Sequence, residues 1–144
     1  MTFPGFVIKY DRARFPEQQL RPDGTWGCRG CGGAIPKGRH SWCSDPCYNR
    51  YCPRMVMAAV RQRDHDICSA CGRDCKAERA EWKSRRWDPD WLKRKPPRAE
   101  YDHIIPFSEG GLTVLENMRT LCALCHKAET NKWRKQKRAA RRNE

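Results

Sequence analysis

Apolar positions along the chain are sparse and come in short bursts. Pro53 opens the clearest of them, with Met55, Val56, Ala59 and Val60 at helical spacing. Proline suits a first helical turn because its missing N–H has no partner there, so a helix through about Arg63 is predicted. Asp64 to Ile67 reads as a connection, with Asp64 and Asp66 as surface charge and His65 facing solvent. Lys76 to Arg86 reads as a polar helix carrying Ala77, Ala80 and Trp82. Trp87 to Arg98 is dense in proline and charge and reads as a loop. Ala99 to Ile105 predicts a short strand stopped by Pro106, and Ser108 to Gly111 a turn. Leu112, Val114 and Leu115 lead into Glu116 to Leu121. From near Ala123 a helix runs toward the C-terminus, because Cys125 to Arg142 contains neither glycine nor proline. Residues 1–26 read as an irregular or short-stranded lead-in with a turn at Pro22-Asp23-Gly24, and no internal repeat is present.

Composition explains the sparseness. Of 144 residues 38% are hydrophobic, a figure that includes ten cysteines, so a large apolar core is excluded and the fold needs staples. The longest apolar run, Met55 to Val60, is far short of the roughly 20 residues a bilayer requires. The opening residues lack a basic start followed by a long apolar stretch, so no secretory signal is expected. A cytoplasmic, reducing compartment follows, where cysteines hold metals rather than disulfides.

The cysteines fall into sets. Cys28-Arg29-Gly30-Cys31 is followed, after eleven intervening residues, by Cys43 and then Cys47, with Ser44 placed to cap a helix from Asp45-Pro46 that turns Cys47 back toward Cys43. These four thiols suit one tetrahedral Zn²⁺. Cys68 and Cys71 form a second pair with Cys122 and Cys125, fifty residues on, so a second Zn²⁺ would clamp distant elements around an inserted segment. Cys52, beside Pro53, reads as core; Cys75 is an alternative member of the second set, and His40 an alternative to Cys43.

A third group carries chemistry of another kind. Asp102-His103-Ile104-Ile105-Pro106 precedes Gly110-Gly111, then Asn117, then Cys122-Ala123-Leu124-Cys125-His126. A strand would present Asp102 and His103 on opposite faces, and a helix held by the second zinc would present His126 from its first turn. A carboxylate and an imidazole could then share one divalent ion while the second imidazole stays unligated. From about Ile67 to Trp133 this pattern resembles the HNH endonucleases, the His-Me finger or ββα-metal nucleases. The Cys28 to Tyr51 unit resembles one that precedes the HNH module in some fork-remodelling helicases and their stand-alone relatives.

The resemblance implies a small α+β zinc-stabilised fold: a ββα-metal core with an N-terminal zinc knuckle and a basic C-terminal helix. It divides the chain into a lead-in with a four-cysteine zinc unit, 1–52, and a nuclease domain, 53–144. It implies hydrolysis of DNA phosphodiester bonds, with His103, Asn117 and His126 as catalytic residues. His103 would be the general base, a role within reach of an imidazole that titrates near ~6.5 when unperturbed. Asp102 and His126 would hold Mg²⁺ or Mn²⁺, and Asn117 would brace the loop that carries His103. Where some members of the family place a further ligand one turn after the last histidine, this chain has Thr130, with Asn131 beside it.

Charge agrees with a polyanionic partner. Thirty Lys+Arg oppose 17 Asp+Glu, a net +13. Lys83 to Arg98 is basic with Trp87 and Trp91 interleaved, and these two read as packed in the core before they read as base-stacking platforms. The stretch from His126 onward is basic again. Arg119, Lys127, Lys132, Arg134 and Lys135 are the candidate nucleic-acid contacts. A membrane partner is not expected, since no apolar helical face opposes the charge. A monomer is compatible with the pattern. Two other readings stand beside the enzyme: a non-catalytic zinc-finger module that binds DNA, and a zinc adaptor that recruits a helicase or recombinase.

Overall fold

The computed structural model describes residues 15–142, so the first fourteen residues of the lead-in lie outside it. The first helix, α1 (Asp45–Asn49), starts at Ser44, whose side chain accepts from the Cys47 N–H. Helix α2 (Pro53–Asp64) buries Pro53, Val56 and Val60 on one side. At its end His65 and Asp66 both adopt positive φ, 53° and 60°. That conformation costs a residue with a side chain roughly 1–2 kcal/mol. Two bonds made at this turn oppose that cost: the Asp66 carbonyl accepts from the Cys75 N–H at 3.1 Å, and its carboxylate accepts from the Tyr101 hydroxyl at 2.7 Å.

Helix α3 (Cys75–Ser84) is capped by Asp74, which accepts from the Ala77 N–H. The segment expected as loop contains a further turn of helix, α4 (Pro89–Leu92), because Asp88 accepts from the N–H groups of Asp90 and Trp91. Trp91 is held between the guanidiniums of Arg85 and Arg94, 3.9 and 4.7 Å from its ring centre. Trp87 is not a core residue; it is 80% exposed.

Strands β1 (Ala99–His103) and β2 (Met118–Cys122) pair antiparallel, Ala99 opposite Cys122 and His103 opposite Met118. β1 ends at His103 rather than Ile105, since the Ile105 N–H leaves the ladder for the Asn117 side chain, at 2.8 Å. Helix α5 (Ala123–Ala140) follows β2 directly, with Cys122 as its N-cap. Val56, Val60 and Met118 form one small apolar cluster with Tyr101 and Leu115 against it. Cys68, Cys75, Leu121 and Cys122 form another.

Asp64 is not a surface charge. Its carboxylate accepts from the Thr120 N–H at 3.1 Å and hydroxyl at 2.9 Å. Arg63 donates to both its oxygens at 2.6 and 2.9 Å and also to the carbonyls of Leu115 and Met118. The Arg63 hydrogen bond, against the opposing effect of burial, holds the Asp64 carboxyl below the usual carboxylate range. Locally the stretch looks like a polar linker, because its strand partner lies 56 residues away.

The cysteines assemble as two groups of four, Cys28, Cys31, Cys43, Cys47 and Cys68, Cys71, Cys122, Cys125, each with its sulfurs within 4.8 Å of one another. Sulfur–sulfur separations include 3.6 Å for Cys31–Cys43, 3.4 Å for Cys43–Cys47 and 3.9 Å for Cys71–Cys122. Tetrahedral zinc with bonds of ~2.3 Å sets sulfurs ~3.8 Å apart, so both groups suit structural zinc. Burial opposes ionisation of Cys28 and Cys68, but backbone N–H donors outweigh it and bring each thiol down to about 6. Hydrogen bonds with Cys43 and Cys122 push Cys47 and Cys125 up to about 12. A divalent cation resolves that conflict by stabilising all four thiolates at once. Neither His40 nor Cys75 joins a group, although Cys75 packs against the second. Cys52 is buried.

Two outcomes are expected. Elemental analysis of freshly purified protein should give two zinc ions per chain, and strong chelation should unfold the chain, since such sites contribute on the order of 10 kcal/mol. Asp64→Ala should lower the urea midpoint by the equivalent of about 1–3 kcal/mol, because it leaves the buried Thr120 donors unpaired.

Candidate functional site

The end of β1, the loop from residue 104 to 117 and the middle of α5 meet around a cleft of about 430 Å³. Asp102, His103, Arg119, Glu129, Lys132 and Trp133 contribute to its wall. Asn117 controls the loop. Its side-chain oxygen accepts from the Ile105 N–H at 2.8 Å, and its amide donates to the carbonyls of Ile105 at 3.1 Å and Leu112 at 2.9 Å. The Asn117 carbonyl also accepts from the Ile104 N–H at 2.9 Å. Two glycines make this closure possible. Gly110 takes φ +85°, and a Cβ on Gly111 would sit 1.9 Å from the Ile105 carbonyl oxygen and 2.8 Å from the Asn117 amide nitrogen. Glu109 then ties the loop to α5, accepting from Trp133 Nε1 at 3.0 Å and pairing with Lys137 at 3.1 Å.

His103 stands where β1 enters this loop. Its Nε2 lies 2.9 Å from the hydroxyl of Thr113, which is 3% exposed. A proton on Nε2 donated to that hydroxyl would leave the lone pair on Nδ1.

The opposite face of β1 carries Glu100 and Asp102, two residues apart and therefore on one side of the strand. Both meet His126, from the first turns of α5. Glu100 Oε2 hydrogen-bonds His126 Nδ1, and Asp102 Oδ1 lies 3.8 Å from His126 Nε2. With the Nδ1 proton donated to Glu100, a neutral His126 ring presents its Nε2 lone pair toward Asp102. The gap of 3.8 Å exceeds a hydrogen bond but is within the span of two metal–ligand bonds of ~2.1 Å. The other oxygen of Asp102 accepts from Arg119 Nη2 at 3.0 Å and Nε at 3.3 Å, and Arg119 also pairs with Glu129 of α5 at 3.2 Å. Arg119 therefore orients the Asp102 carboxylate and leaves Oδ1 toward His126.

The structure thus places Asp102 and His103 in the wall of the cleft and His126 against Asp102, while Asn117 and His126 do not line the cleft and Asn117 braces the loop. Of the candidate nucleic-acid residues, Arg119 is engaged within the protein and Lys132 lines the cleft. Arg134 and Lys135 line shallow grooves farther along α5, and Lys127 is exposed. Thr130 lines the cleft, while Asn131 lies in one of the α5 grooves. Sequence reasoning missed Glu100, Thr113 and Glu129. The period of two along β1 pairs Glu100 with Asp102 and was a usable signal. Glu129, one turn after His126, shares its helix face. Nothing local marks Thr113, whose role depends on the closed loop.

No solved structure matches this chain. A 29-residue stretch is 52% identical to anaredoxin of Nostoc sp. strain PCC 7120; it covers 20% of this chain and 38% of that protein. No helix among the described residues is long and apolar enough to cross a membrane. The model of the HNH endonuclease family matches residues 68–132, a span that includes all four members of the second cysteine group and every residue of the loop and the β1–β2 pair.

Proposed function

We propose that the protein is a metal-dependent HNH endonuclease that hydrolyses DNA phosphodiester bonds. The observation that carries this reading is the arrangement at the end of β1. An imidazole fixed by a buried hydroxyl sits beside a carboxylate–imidazole pair spaced for one divalent ion. Asp102 Oδ1 and His126 Nε2 are the donors that would hold Mg²⁺ or Mn²⁺, with solvent and phosphate oxygens as its other ligands. Such an ion, when bound, neutralises charge developing on the phosphate and its leaving oxygen.

The chain's own residues do the rest. Thr113 holds His103 through Nε2, and the His103 imidazole takes the proton of the attacking water. Asn117 and Gly111 keep the loop closed behind His103. Glu100 fixes the ring of His126, and Arg119 turns Asp102. Lys132 offers a positive charge at the cleft. We assign the nuclease unit to 53–144 and the N-terminal four-cysteine unit to 1–52, a division supported by the packing of α2 on Met118 of β2. One observation favours the second reading, a non-catalytic zinc module that binds DNA: Arg119 already neutralises part of the Asp102 charge.

Incubation with supercoiled plasmid separates the two. Wild-type protein should nick the plasmid with Mg²⁺ or Mn²⁺, and His103→Ala should slow it by about 10²–10⁴. Normal DNA binding with no cleavage in either ion would favour the binding module. A metal titration should then divide the roles. Added Mn²⁺ should partly restore His126→Ala and Asp102→Ala but not His103→Ala, and zinc content should be unchanged in all three.

Glu100→Gln should raise the Mn²⁺ concentration for half-maximal binding, read by electron paramagnetic resonance, by roughly 10–100-fold. An unchanged Mn²⁺ affinity would remove Glu100 from this role.

A further inference from the structure

A second concave surface lies on the other side of β1. It is a groove of about 500 Å³ between the end of α2, helix α3 and the start of β1. Ala99 and Tyr101 line it, the residues that alternate along the strand with Glu100 and Asp102. Five cationic side chains reach it against one carboxylate, Asp66. Arg61 is held there by Tyr101, donating to its hydroxyl at 2.9 Å, and stands 3.7 Å from Asp66. Arg98 pairs with Glu100 at 2.8 Å.

The remaining three, Lys76, Arg79 and Lys83, come from α3 and are exposed. Their spacing of three and four residues puts them on one face of the helix. None has an ion pair among the described residues. The acids of α3 are used elsewhere: Glu78 pairs with Arg73 at 3.1 Å and Glu81 with Arg85 at 3.7 Å. Charge on this helix is therefore segregated. Like charges one turn apart disfavour a helix, a cost that a bound anion would remove.

The seven-residue step from Lys76 to Lys83 covers ~10 Å of helix axis, long enough for the three cations to address more than one phosphate of an extended polyanion. We propose that the α3 groove is a second nucleic-acid site, which grips the phosphodiester backbone of the substrate apart from the segment in the His103 cleft. This rests on the nucleic-acid reading of the protein but not on cleavage. Lys76, Arg79 and Lys83 make the phosphate contacts, and Arg61 and Arg98 supply positive potential from the groove wall.

The test is fluorescence anisotropy of a labelled DNA duplex with zinc-loaded, full-length protein and no added Mg²⁺ or Mn²⁺, titrated with salt. The groove variant is Lys76→Gln/Arg79→Gln/Lys83→Gln, glutamine being a good helix former. A control with the same charge loss is Lys37→Gln/Arg54→Gln/Lys95→Gln, at exposed positions outside the groove. The groove variant should bind on the order of tenfold more weakly than the control, and its log K against log salt slope should be shallower by roughly 3, about one per lost phosphate contact. Equal affinity and slope for the two variants would overturn the proposal, as would a wild type that does not bind duplex. Loss of polyglutamate binding without loss of duplex binding would overturn it in favour of an acidic protein partner. The predicted difference in a protein that never nicks plasmid would keep the groove and remove the nuclease reading.

Discussion

Helix α5 has no buried residue along its length, yet it must place His126 against Glu100 and Asp102 on β1. Apolar packing cannot set that position, so the second cysteine group does. Cys122 closes β2 and caps α5, Cys125 lies in the first turn of α5, and Cys68 and Cys71 come from the knuckle after α2. On one cation, these four thiols would fix the helix start relative to the strand pair. The knuckle is fastened to the same strand a second time, as Ser69 donates to the Thr120 carbonyl through its N–H at 2.8 Å and its hydroxyl at 3.0 Å. Of the nine buried hydrophobic residues among those described, three, Cys28, Cys68 and Cys122, belong to the two cysteine groups, so a metal held there would add to the little apolar burial that a chain of this composition has.

Polar contacts refine what the clamp sets up. Arg63 and Asp64 at the end of α2 bind β2 through its backbone, which holds the strand in place. Along β1, alternation separates two kinds of chemistry: Glu100 and Asp102 address His126 and Arg119, while His103 addresses Thr113. Glu100, Asp102, His103 and His126 each have a partner that fixes their orientation. That arrangement suits a site whose groups must be in position before substrate arrives.

Much of this could be read in the sequence because it depends on spacing. The cysteine sets, the helix from Pro53, the capping by Ser44 and the helix after Cys122 follow from local rules. So does the Asp102, His103, Asn117, His126 order on which the family resemblance rests. What was not legible depends on contacts between distant segments. Asp64 looked like linker charge until the strand it binds was in place. Thr113 matters only once Gly111 lets the loop close on Ile105. Arg119 looked like a contact for nucleic acid, but its position opposite Asp102 and beside Glu129 makes it an internal counter-ion. The short helix after Asp88 was hidden by the prolines and charges of the segment around it, although Pro89 at its first position behind an Asp cap suits a helix start.

The central claim is that the second cysteine group assembles the divalent-ion site. Replacing one exposed ligand of each group tests it: Cys71→Ser in the second and Cys31→Ser in the first. Zinc content and Mn²⁺ binding, by elemental analysis and electron paramagnetic resonance, are measured on the same samples. Both variants should lose one zinc. Cys71→Ser should also lose Mn²⁺ binding, and Cys31→Ser should keep it. Wild-type Mn²⁺ affinity in a Cys71→Ser protein that has lost its zinc would contradict the account.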